Sequence, residues 1–178
     1  MAEVLLSSEA FIKEVSNISD NVSGKYILPS LREAQEQGLK GILGDNLLSK
    51  LKDLVKNHLV ELPENAMYKA LIDRCQYYLA YKTIVEVTYK VSYKIGNFGV
   101  TKSNDENLQV ATKEEIDNQR YYYQAKADAY CFELQGWILD NREAFPELTE
   151  CHCRKIKSTL YSAATCGIFL GGQRGKRR

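Results

Sequence analysis

Three prolines in 178 residues leave little to interrupt long helices. Histidine is scarcer still, limited to His58 and His152, so proton-transfer chemistry has few candidates. No hydrophobic run is long. The stretch from Leu160 to Gly172 falls short of the roughly 20 apolar residues that cross a bilayer. The opening MAEVLLSSEAF has no basic n-region and sets Glu3 and Glu9 around a short apolar stretch, which excludes a secretory signal peptide. Five cysteines, an odd number, point to free thiols and away from a disulfide framework. These shortages predict a soluble protein made in a reducing cytoplasm, with no membrane partner.

A hydrophobic share of 44% and a charged share of 26% exclude wholesale disorder and fit one globular domain with an appendage. The net charge is only +1, but it is unevenly spread. Acidic residues end at Glu150, and Arg154, Lys155, Lys157, Arg174, Lys176, Arg177 and Arg178 follow. The tail therefore carries +7, whereas residues 1–150 hold 17 basic against 23 acidic groups. An acidic helical domain over 1–150 and a basic arm over 151–178 are predicted.

Apolar spacing predicts an all-α bundle of about five helices, two of them long. A short helix near Ser8–Val15 is followed by one from Lys25 to Leu43, with Ile27, Leu31, Ala34, Gly38, Leu39 and Ile42 on one face. Pro29 fits only a first turn, which puts the start at 25–28; Gly44 supplies a stop and Asp45 a cap. The next helix carries Leu47, Leu48, Leu51, Leu54, Val55 and Leu59, and Pro63 closes the linker after it. From Glu64 to Val91 two stripes recur, Met67–Leu71–Cys75–Tyr78–Val85 and Tyr77–Tyr81–Ile84–Val91, so this helix is expected to be covered on more than one side. A glycine-marked polar stretch then predicts a hairpin-like insertion near 93–111. Thr112 to Glu115 forms a capping box, opening a helix with Ile116, Tyr123, Ala127, Tyr130, Leu134 and Trp137 inward. It is expected to end near Arg142, before Pro146. Past Cys151 no period is sustained, and an extended C-terminal arm is expected.

Nothing in the pattern assembles an active site, and no enzyme or cofactor is predicted. His58 closes a leucine-rich helix, a position that supports a helix C-terminus. Gly167 to Gly175 lacks the Walker spacing and any preceding strand. Glu114 and Glu115 lie in a first helical turn, where capping accounts for them. Cys151, His152 and Cys153, with Cys166, offer zinc-type ligands, but three adjacent side chains do not converge on a tetrahedron, so no metal is expected. The aromatic content points to contact surfaces. Of the consecutive Tyr121, Tyr122 and Tyr123, only Tyr123 fits the inward stripe; the other two suit a protein interface or ordinary half-buried packing. The basic end, Gln173 to Arg178, suits phosphates, an acidic protein surface, or a merely solvated terminus.

The segment Pro29 to Leu51, PSLREAQEQGLKGILGDNLLSKL, resembles the opening helices of small head–tail adaptor proteins of Bacteroidetes phages, including crAss-like phages, and of related prophages. The agreeing positions are Pro29, Leu31, Ala34, Gln35, Leu39, Leu43, Gly44 and Leu51, joined by the tyrosine-rich helix Tyr68–Tyr81, Gly99-Val100, Asn141 and Phe145-Pro146-Glu147. The resemblance covers roughly residues 20–147 and leaves the tail outside it.

It implies a virion neck protein: a ring, commonly twelve-fold, that binds the portal, carries tail or further ring proteins, and lets packaged DNA pass without sequence-specific binding. Phe98, Val100, Tyr121 and Tyr122 are then the expected contacts between subunits. Ile168, Phe169 and Leu170, with Arg174, Lys176, Arg177 and Arg178, are the expected docking element of the arm, on the portal or a neighbouring copy. The competing expectations are a neighbouring tail-completion or ring protein and a helical DNA-binding module. The second lacks a strongly basic recognition helix.

Overall fold

Ser8 starts the first helix. Its hydroxyl accepts the Phe11 N–H at 3.1 Å and caps α1, Glu9–Val15. The computed structural model describes residues 4–16, 18–96, 99–102 and 112–150. After α1 come α2 (Gly24–Glu33), a π-helical segment (Ala34–Leu39) and α3 (Lys40–Lys56). Then follow α4 (Ala66–Ser92), strands β1 (Tyr93–Gly96) and β2 (Gly99–Lys102), α5 (Lys113–Asp140) and α6 (Glu147–Glu150). The fold is all-α apart from that two-stranded antiparallel hairpin, which pairs Tyr93 with Lys102 and Gly96 with Gly99. The hairpin-like insertion is thus borne out over its described part, while the C-terminal arm lies outside the described residues.

The stretch from α2 to α3 departs most from the sequence reading. It bends at Gly44, where φ 78° and ψ 170° suit glycine, so the expected stop exists as a bend. Asp45 does not act there as the expected cap; its carboxylate pairs with Lys40 across the bend at 2.8 Å. Pro29 is the sixth residue of its helix, a turn later than expected, because Ser23 caps further upstream. The carbonyl that Pro29 leaves undonated belongs to Lys25, an exposed residue. Between the two helices the hydrogen bonding widens into a π turn. Gln35, in that turn, is fully buried. Its amide accepts the Leu6 N–H at 2.9 Å and donates to the Val4 carbonyl at 3.0 Å, while Gln76 donates to the Leu6 carbonyl at 3.0 Å.

α3 closes in a Schellman turn. The Leu59 N–H reaches the Leu54 carbonyl at 2.9 Å and the His58 N–H reaches Val55 at 3.2 Å. His58 takes the left-handed position at φ 56°, and its role at the helix end is a backbone one. Leu59, expected on the apolar face of α3, lies past the helix and is exposed, because the turn ends the period first.

α4 is the central helix. Tyr78, Leu79, Ala80 and Tyr81 are consecutive and all buried, which no one-sided helix allows. α1, α2, the π segment and α5 cover it. Met67 and Tyr77 are exceptions to the expected stripes. Met67 sits in the first turn, and Tyr77 lies at the open edge between α1 and α5, stacked on Tyr130 at 5.6 Å and edge-on to Phe11 at 5.4 Å.

α5 opens with the expected capping box: Thr112 Oγ1 accepts the Glu115 N–H at 3.3 Å, and the Glu115 carboxylate accepts the Thr112 N–H at 2.7 Å. That backbone bond holds the Glu115 carboxyl below its ordinary range. Ile116, Tyr123, Ala127 and Leu134 are buried as expected, with Ile138 added; Tyr130 and Trp137 are half-buried. Beyond Asn141 the chain turns back. Phe145 is fully buried edge-on to Tyr68 at 5.5 Å, and the Tyr68 hydroxyl donates to Glu147 at 3.0 Å. Burial, then that carboxylate, pushes the Tyr68 phenol up to about 12. α6 packs on α3.

Candidate assembly surface

α5 packs chiefly on α4 and is an edge helix. At about 100° per residue, its buried set leaves Tyr121, Ala125, Asp128, Phe132, Gly136 and Leu139 aligned along the opposite side. Tyr121 is 74% exposed, Phe132 75% and Leu139 49%. A side chain added at Gly136 would meet no atom within 4 Å, so the stripe is open there as well. Glu114, Asp117 and Asp128 share this side of the helix.

The mid-helix cations are engaged by rings, although Arg120 also lines a concavity with Asp117, Tyr121 and Gln124 at the edge of the stripe. The Arg120 guanidinium lies over the Tyr89 ring at 5.7 Å, and the Lys126 ammonium lies over Tyr81 at 5.3 Å and Tyr122 at 5.1 Å. The outer side of α5 is therefore apolar and acidic at once. An exposed apolar stripe opposite a packed one leaves surface on which a second element could pack.

Two other concavities are less suited to recognition. One, of about 360 Å³, is lined by Glu33, Gln37, Gly38, Tyr78, Lys82 and Glu86 beside the π segment. Its charges are already matched, Lys90 with Glu33 and Lys82 with Glu86. Another, of about 420 Å³, includes Arg74, whose guanidinium is engaged over Trp137 at 4.4 Å. Burial pushes the thiols of Cys75 and Cys131 up, which keeps them protonated and poor nucleophiles. Among the described residues no cluster of three or more histidine, cysteine, aspartate or glutamate side chains could hold a metal. Nor, among them, is any helix long and apolar enough to cross a membrane.

Of the residues expected at contacts, Tyr121 and Tyr122 are exposed on α5, Tyr122 at 55%. Val100 stands in β2 opposite Ile95. Phe98 lies outside the described residues, as do Ile168, Phe169, Leu170, Arg174, Lys176, Arg177, Arg178 and the Cys151–Cys153 group. Phe132 and Leu139 were not anticipated. Their signal is the spacing of 11 and 7 residues from Tyr121 to Phe132 to Leu139, nearly whole numbers of helical turns.

Fold and surface define a helical protein with a fully wrapped central helix and an edge helix that keeps one side open. The chain belongs to DUF6712, a family of unknown function, with residues 39–158 matched, about two thirds of the sequence. No curated protein and no solved structure matches it.

Proposed function

We propose that this chain is a structural subunit of a tailed-phage neck, a head–tail connector that assembles into a ring on the portal, and not an enzyme. The observation that carries the reading is the open side of α5: Tyr121, Phe132 and Leu139 in line, opposite the buried face. Fully burying such a side chain contributes about 1.5–3 kcal/mol, so a partner on this stripe gains from covering it. A ring uses two different faces of each subunit, which suits a body whose α5 side and α3 side differ. The resemblance of residues 29–51 to head–tail adaptors supports the same reading. Its partners are then the portal, other copies of itself and tail-side ring proteins, with DNA passing through the channel unread.

The test is cryo-electron microscopy of the full chain mixed with the portal protein of the same phage. Annular particles capping the portal are expected, and the reading fails if the two proteins never associate. A ring found elsewhere in the neck would make it a tail-completion protein instead.

A further inference from the structure

The open stripe of α5 is a poor partner for itself. Two copies pairing stripe to stripe about Asp128 would set that carboxylate against its twin, with no cation three or four residues from it along α5, whereas Asp117 shares a concavity with Arg120. What fits is a segment that is apolar, basic and free of acids. Past the folded body the chain has such a segment: Ile168-Phe169-Leu170, followed by Arg174, Lys176, Arg177 and Arg178, with no acidic residue after Glu150.

We propose that the outer stripe of α5 is the seat for residues 168–178 of a neighbouring copy. Phe169 and its neighbours would cover Phe132 and Leu139 beside the small residues Ala125 and Gly136, while the basic end faces Asp117 and Asp128. The source is the neighbour because, in a ring subunit, an arm seated on its own body would join no copies. The chain departs at α6, packed on α3. Residues 151–168 can extend roughly 60 Å at about 3.3 Å per residue, more than the roughly 42 Å length of α5. That tether is long enough to span from one subunit to the next. The contact is heterologous, stripe to arm, so it propagates around a ring and does not stop at a pair. This inference rests on the reading of the chain as a self-assembling subunit and names the contact that joins the copies.

The test places a photo-crosslinking benzoyl-phenylalanine at position 132 of the full chain. This protein is mixed with an equal amount of isotopically heavy chain and irradiated. The expected product joins the light tryptic peptide 127–142 to the heavy peptide 158–174. Phe169→Asp in the heavy chain should lower that yield about tenfold, while its circular dichroism and melting stay unchanged.

Crosslinks confined to light–light peptides of one chain would overturn the proposal, since the arm would then fold back on its own body. Crosslinks to another surface, or none at all, would overturn it equally. Mass photometry of the same mixture separates this failure from that of the connector reading. Rings with crosslinks elsewhere sink the arm contact alone. Heavy–light arm crosslinks without annular particles keep the contact and sink the connector.

Discussion

α4 and α5 have nearly the same length, 27 and 28 residues, and pack against each other, yet they are opposite kinds of helix. α4 is wrapped: from Tyr78 to Val87 it buries residues on every side, including the polar Thr83. α5 buries one stripe and leaves an apolar stripe open behind it. Composition does not separate them, since both are rich in tyrosine. What separates them is what lies over each. A helix surrounded by α1, α2, the π segment and α5 has its apolar surface used up in folding, whereas an edge helix keeps apolar surface for a partner.

The largest expected effect tests the wrapped helix. Leu79→Ala should destabilise the fold by about 2–5 kcal/mol, read by urea unfolding, because the cavity is enclosed on all sides. A loss near that of a surface site would break the contrast. Gly38→Ala tests how tightly the π segment lies on α4. Its new carbon would stand 2.3 Å from the Tyr78 hydroxyl oxygen, a clash expected to cost about 1–3 kcal/mol. Tyr78→Phe should recover part of that loss in a double-mutant cycle, and strict additivity would show that the two do not meet.

Thr83 carries a buried hydroxyl with no hydrogen-bond partner, so Thr83→Val should raise stability by about 1 kcal/mol. A fall would mean that the hydroxyl is satisfied. On α5 the expected losses are smaller. Thr112→Ala removes the hydroxyl half of the capping box, leaving the residue 112 N–H on the Glu115 carboxylate, and should cost about 1 kcal/mol, fraying the helix start in hydrogen exchange. Phe132→Ala should change stability by no more than about 0.5 kcal/mol, because the side chain is exposed, while self-association weakens. A large unfolding effect there would mean that α5 is not an edge.

The features legible in the sequence are those settled locally. Gly44 and the Thr112–Glu115 box each work through bonds or dihedrals a few residues away, and each stands where its residue type placed it. The π turn was not legible, because an α-helix and a π-helix accept the same residues and only packing chooses. The burial of Gln35 depends on the backbone of residues 4–6, nearly thirty positions away. The candidate surface was half legible. Three consecutive tyrosines cannot share one buried face, which singled out Tyr121 and Tyr122. Phe132 and Leu139 each look like one apolar residue in a polar setting, and they align only once the buried side of α5 is known.

The π segment acts on the chain as an angular correction. Its wider turn makes the residues after it lag by about one residue, roughly 100° around the axis. Ile27 and Leu31 before it, Leu39 at its end and Ile42 and Leu43 after it are all buried, and counted at regular helical steps the two sets would point about a quarter of a turn apart. The lag brings them into phase. In insertional terms the segment holds one surplus residue, and exposed Gln37 is the natural one to remove. Its excision leaves a regular helix with both sets still facing inward, shorter by about 1.5 Å. An excision at Leu28, outside the segment, turns every later apolar residue up to the Gly44 bend out of phase with those before it.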